Sequence, residues 1–241
     1  EPYKYDQKFR FLYAVSNGAY QMNYRGSFID AFKNADLVVE GDYVHPTLNN
    51  FFGLGNNTKY DQDKNIRYYR TRYNMVNGNV LLRKKYFGNL LQVLAGPTFN
   101  HYWINQNDNE GKILEHPAAV GLDSVRLHNN KAYAGGTLRL LINNLNSDFF
   151  PTRGVDWATE FTSQLGMSSH SKNYTALKSD LTLYTSVQRK PRVVGVFRVG
   201  GGKILSKDYE FFQAMTLGAN NYLRGFRKNR FAGDSYLNTG M

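Results

Sequence analysis

The sequence has no cysteine among its 241 residues. It therefore builds no disulfide framework and no thiolate metal centre, a lack shared by envelope proteins and by many cytosolic chains. It also lacks any apolar run approaching the roughly 20 residues that a membrane-spanning helix needs. A membrane span could then be made only of strands, because in a bilayer only helices and closed sheets satisfy every backbone N–H and C=O. Catalytic patterns are missing too. The histidines His45, His101, His116, His128 and His170 are scattered, without the paired spacing of a zinc protease. Gly166-Met167-Ser168-Ser169-His170 lacks the closing glycine of a nucleophile elbow. Gly200-Gly201-Gly202-Lys203-Ile204 lacks the first glycine and the trailing Ser or Thr of a phosphate loop, so these glycines are expected in a bent strand near a sheet rim. No catalytic residue, metal or cofactor is expected in this segment. Acidic residues are scarce, 19 Asp and Glu against 30 Lys and Arg, for a net charge of +11. The basic residues are dispersed rather than gathered on a helix or interleaved in an RNA-binding signature, so nucleic acid is not an expected partner.

What the chain does have is aromatic side chains and alternation. There are 18 Tyr and 16 Phe against 2 Trp. Rings with one polar tip suit a lipid–water boundary, so aromatic girdles are expected. From Val155 the chain places Trp157, Thr159, Phe161, Ser163 and Leu165 on one parity and Asp156, Ala158, Glu160, Thr162 and Gln164 on the other. That is a strand with a different solvent on each face. Leu177, Leu181, Leu183 and Val187 alternate with Lys178, Asp180, Thr182 and Tyr184 in the same way, and so do Phe9, Phe11 and Tyr13 with Arg10. A soluble β-sandwich alternates as well, and parity alone does not separate it from a membrane barrel.

Ten strands are read from this pattern: 8–16, 19–31, 35–46, 66–86, 89–105, 131–147, 154–166, 174–187, 192–204 and one starting near 231. Arg67, Arg70, Arg72, Arg83, Lys84 and Lys85 make 66–86 the weakest, and Asn77-Gly78 within it could mark a bulge or a hairpin. Short links at 31–34, 87–89, 149–154 and 188–191 alternate with long polar ones at 49–65, 106–130 and 205–230. Short turns on one rim and long loops on the other are the habit of outer-membrane barrels. The tight Ser16-Asn17-Gly18 turn and the moderate link at 167–173 depart from it.

Two motifs then stand out. The first is Leu217-Gly218-Ala219-Asn220-Asn221-Tyr222-Leu223-Arg224-Gly225-Phe226, running on into Arg230-Phe231-Ala232-Gly233. The second is Phe149-Phe150-Pro151-Thr152-Arg153-Gly154, three strands upstream. The first resembles the Leu/Val-Arg-Gly-Phe/Tyr loop, and the second the Pro-Thr-Arg/Asp-Gly periplasmic turn, of the BamA/TamA-like outer-membrane β-barrels, the bacterial surface antigen superfamily.

The resemblance implies an all-β fold, a transmembrane antiparallel barrel of which this chain supplies ten of sixteen strands. Residues 1–241 would be one barrel domain, incomplete at both ends, with 205–230 the loop that enters the lumen. Leu223, Arg224, Gly225 and Phe226 would be the lumen motif, with Arg224 meeting acids on the wall. Asp156, Glu160 and Asp180 are the candidates within this chain, although the family partner lies on strands beyond Met241. Pro151, Thr152, Arg153 and Gly154 would form the periplasmic turn. The implied function is assembly of outer-membrane proteins or export of polypeptides in a Gram-negative outer membrane. Its partners would be lipids and lipopolysaccharide, unfolded outer-membrane or secreted polypeptides, and periplasmic or lipoprotein accessory subunits. The alternative is a barrel that anchors a fused patatin-like lipase or metallophosphoesterase, which Asn50-Phe51-Phe52-Gly53-Leu54-Gly55-Asn56 also resembles. Lipopolysaccharide phosphates, or an acidic partner region, would account for the positive charge.

Overall fold

The computed structural model describes residues 3–187, 192–219 and 223–240. The expected link at 188–191 and the stretch Asn220-Asn221-Tyr222 lie outside them. One antiparallel sheet of ten strands follows strict chain order. Its strands are β1 (Tyr5–Ala14), β2 (Ala19–Phe32), β3 (Ala35–His45), β4 (Asn74–Tyr86), β5 (Leu91–Trp103), β6 (Lys131–Leu145), β7 (Gly154–Gly166), β8 (Tyr174–Thr185), β9 (Gly195–Ile204) and β10 (Ser235–Gly240). The expected all-β antiparallel fold is borne out. Among the described residues no helix is long and apolar enough to cross a membrane.

Two strand boundaries differ from the sequence reading by four residues or more, the rest by three or fewer. Only Asn74–Tyr86 of the run 66–86 joins the sheet, because Ile66–Tyr69 winds into a 3₁₀ turn whose preceding Asn65 side chain accepts a bond from Arg67 N–H. A polar cap and three arginines favour a turn over a pleated surface there. Asn77 and Gly78 sit in regular ladder, opposite Asp42 and Gly41 on one side and Asn100 and Phe99 on the other. The final sheet strand starts at Ser235, since Phe231–Gly233 instead pairs with Met215–Leu217 inside the last long loop. The glycine run 200–202 lies within the β9 ladder, opposite Asp180, Ser179 and Lys178, rather than at a rim.

Register fixes what each face carries, because directly opposed residues share a face. Trp157 opposes Leu181 and Phe161 opposes Leu177, whereas Glu160 opposes Lys178. The apolar set is exposed: Phe9, Phe99, Leu140, Phe161, Leu183 and Phe197 all remain on the surface. The polar set lines the inner face, around Thr98, Arg139, Glu160, Gln164 and Lys178. A water-soluble sandwich hides its apolar face, so this inverted distribution is that of a barrel set in lipid. An aromatic band marks the long-loop end of the outer face. Tyr20 lies 5.6 Å from Tyr43 and 5.1 Å from His45, and His101 stacks on Trp103 at 5.1 Å.

The inner face is layered from the short-turn rim upward. Asp36 accepts from Arg83 at 2.8 Å and Lys85 at 2.9 Å. Val38, Leu81 and Leu94 form a small dry layer above it. The long loops close the far end with an apolar dome of Phe51, Phe52, Tyr69, Tyr73, Ile113, Leu114 and Phe211. Aromatic packing of this kind adds about 0.5–1.5 kcal/mol per ring pair beyond area burial.

Candidate functional site

Between dome and dry layer lies a polar cavity of about 290 Å³. Its wall is organised by Arg139 of β6, whose guanidinium donates to Glu160 at 2.5 Å and to Glu40 at 2.7 Å. Asn79 also donates to Glu40 at 3.1 Å, and Arg25 stands 3.8 Å from it. Glu40 lies on β3 and Glu160 on β7, so one planar fork ties together well-separated strands, a geometry that lysine could not supply. Sequence parity placed Glu160 on this face but gave no sign that Arg139 would take it.

The last long loop roofs the cavity with Phe212, Gln213 and Ala214. Phe212 stacks on Tyr102 at 4.2 Å, and Phe211 is buried among Phe51 and Tyr73. Beside them Glu210 accepts from Arg126 at 2.7 Å and stands 3.7 Å from the fully buried ammonium of Lys131, which itself donates to the Arg126 carbonyl. Burial pushes the Glu210 carboxyl above the ordinary glutamate value, more than the charges of Lys131 and Arg126 pull it down.

The returning arm is held by Arg230. Its guanidinium donates to Thr58 Oγ1 at 2.8 Å and to the Thr58 carbonyl at 2.6 Å. It also lies against the rings of Phe52, at 5.1 Å, and Phe231, at 4.8 Å. Gly55 N–H donates to the Ala232 carbonyl, and Asn50 donates to the Lys228 carbonyl. The sequence places Arg230 in the stretch behind the Arg-Gly-Phe motif but gives no sign of its role as an anchor, since Thr58 and Phe52 lie far away along the chain.

The motif itself sits at the tip. Arg224, Gly225 and Phe226 are exposed, and Leu223 bridges Ala219. Arg224 joins no ion pair among the described residues, and the structure does not bring it to Asp156, Glu160 or Asp180. Glu160 is occupied by Arg139. Asp180 has one buried oxygen without a partner, and Asp156 is exposed on the same face. Gly225 has φ of +87°, which favours glycine, yet a Cβ there would meet nothing within 4 Å. Backbone conformation selects glycine here, and no close contact does. Phe226 packs on Phe231, ring centres 5.5 Å apart.

The Pro151-Thr152-Arg153-Gly154 turn lies on the opposite, short-turn rim. The Asn146 side chain accepts from Thr152 and Arg153 N–H, each at 2.9 Å, and donates to Thr152 Oγ1. Arg153 reaches the Ser186 carbonyl at 3.0 Å. Gly154 is obligatory, because with φ of +126° a Cβ would fall 1.9 Å from the Asn144 carbonyl.

Residues 6–240 match the Omp85 superfamily domain. The chain belongs to the Omp85 superfamily. The recognition of a BamA/TamA-like barrel is thereby borne out. Among solved structures, this Omp85 chain is similar to the crystal structure of BamA from Haemophilus ducreyi lacking POTRA domains 1-3. The TM-score is 0.59 at 16% identity, covering 88% of this chain and 38% of that one. The chain thus spans under two fifths of the BamA chain it matches, and the likeness is one of fold. No curated protein matches it.

Proposed function

We propose that this Omp85 segment is part of a Gram-negative outer-membrane barrel that inserts outer-membrane proteins or exports polypeptides. The observation that carries the reading is the inside-out sheet of an Omp85 domain, with the last loop anchored over its polar inner face. The segment works through backbone geometry and not catalysis. Loop 205–230 is the lumen-entering loop, its arms fastened by Glu210 and Arg230, and Arg224 finds its acidic partner on barrel strands outside this segment. Unfolded outer-membrane or secreted polypeptides are its substrates, with periplasmic or lipoprotein accessory subunits delivering them. Lipids surround the apolar face, lipopolysaccharide meets the long-loop rim, and the Pro151–Gly154 turn faces the periplasm.

The direct test is an engineered disulfide across the seam between first and last strands of the full-length barrel. Substrate insertion should stop when the crosslink forms and resume on reduction. Unchanged insertion with the crosslink verified would contradict lateral opening and favour the anchoring alternative.

A further inference from the structure

The long-loop rim carries a second feature, a cleft of about 640 Å³ between the 46–73 and 104–130 loops, beside the β1–β2 hairpin. Arg67, Arg70, Arg72 and Lys112 line it with Tyr68, and among the described residues Glu110 is the only carboxylate in the lining. None of the four cations joins an ion pair among the described residues. The floor is fixed. Buried Asn109 accepts from Arg72 N–H at 2.9 Å and donates to the Arg72 carbonyl at 2.7 Å, so the two loops are stapled to each other.

Arg72 Nε is buried and has no acceptor. A buried donor without a partner is costly, and a ligand oxygen would relieve it. Lys112 donates to the Asp108 and Glu110 carbonyls, and burial together with the Arg72 charge presses its ammonium below lysine's ordinary range. Three guanidiniums and one ammonium are thus held together in one cleft against the single carboxylate of Glu110, and an anion stabilises such an excess of positive charge.

The volume exceeds a single phosphate and falls in the range of ligand-sized sites. Guanidinium forks match phosphate oxygens, while the Tyr68 ring, with Lys64 4.2 Å from its centre, offers a face for a sugar. Ser16 and Asn17 of the lining belong to the hairpin that leads into Tyr20 of the outer aromatic band, so the cleft opens near the lipid boundary. We propose that this cleft binds the phosphorylated sugar headgroup of an outer-leaflet glycolipid. The inference rests on the reading that the long-loop rim faces outward.

The test uses the full-length protein in detergent, titrated calorimetrically with a deacylated diphosphorylated glucosamine disaccharide and, separately, with inorganic phosphate. The disaccharide should bind, and phosphate should bind at least about a hundredfold more weakly. Arg67→Gln combined with Arg70→Gln should weaken disaccharide binding about tenfold or more, with folded barrel unchanged by heat-shifted electrophoretic mobility. Arg72→Lys keeps the charge but removes the fork, and should weaken it about tenfold as well. Equal binding by wild type and variants would overturn the site, and phosphate binding as tightly as the disaccharide would overturn the glycolipid as its source. Insertion activity is read apart from the titration. Loss of insertion under conditions where the headgroup still binds would count against the assembly reading alone, while surface labelling that placed Lys64 in the periplasm would overturn the orientation.

Discussion

The arms and the tip of the last long loop are built by different rules. The arms find all their partners inside this chain: Glu210 with Arg126 and Lys131, Phe212 on Tyr102, Arg230 on Thr58 between two phenylalanines. Among the described residues of the tip, Leu223 bridges Ala219 and Phe226 packs on Phe231, while Arg224 is exposed. Two arginines six residues apart thus have opposite characters. Arg230 is a fastener, whereas Arg224 is exposed on a fastened support without an ion pair among the described residues, and the function proposed above gives it a partner elsewhere in the full barrel.

The contrast is broken most strongly at Glu210. Glu210→Ala leaves Lys131 buried without its carboxylate, and unpairing a buried ion costs about 3 kcal/mol or more. Protease cleavage within 205–219 should accelerate strongly. Arg230→Ala comes next, losing two charge-assisted bonds and two ring contacts, about 2 kcal/mol. The returning arm should then lose amide protection at Phe231–Gly233 while the ten-stranded sheet keeps its own.

Acidity sharpens the contrast by a smaller amount. Glu210 titrates above its unfolded value of 4.5, with burial the main cause. A carboxyl raised in this way contributes stability that is fully present below the unfolded value and lost as pH rises through the folded one. Lowering the pH from 7 toward 4.5 should therefore firm the loop base slightly, as a higher thermal midpoint for loop opening, and Glu210→Gln should flatten that dependence. Exposed Asp208 runs the other way, held below its ordinary range by the Lys172 ammonium at 2.6 Å. Its contribution is present above 3.8 and is lost only as pH falls through its lowered value. The smallest effect on this segment's own stability belongs to Arg224→Ala, within about 0.5 kcal/mol, as for other surface changes. Its consequence should lie in the yield of folded full-length barrel.

The sheet was legible because strand alternation is local. Trp157 and Glu160 declare their faces without knowledge of any neighbour, and tight turns such as Asn17-Gly18 declare themselves by residue type. Run 66–86 misled because an Asn cap and scattered arginines decide a 3₁₀ turn over a strand by only a few hydrogen bonds. The inner network was not legible. Arg139 could have met any carboxylate of its face, and only the curvature of the assembled sheet selects Glu40 and Glu160. Arg230 was obscured for the same reason, since Thr58 and Phe52 lie far away in sequence and only the dome brings them to it. The motif was conspicuous in the sequence because it belongs to a family pattern, yet its exposure here follows from contacts that no local pattern encodes.

Amide hydrogen exchange across 205–240 in the full-length protein, compared between Arg224→Ala and Arg230→Ala, tests the central claim most directly. Arg230→Ala should release the arms and the tip together. Arg224→Ala should release Leu223, Gly225 and Phe226 while the arms at Phe211–Gln213 and Phe231–Gly233 stay protected. Arms that open in Arg224→Ala, or a loop unchanged in Arg230→Ala, would contradict the division of the loop into fastened arms and a presented tip.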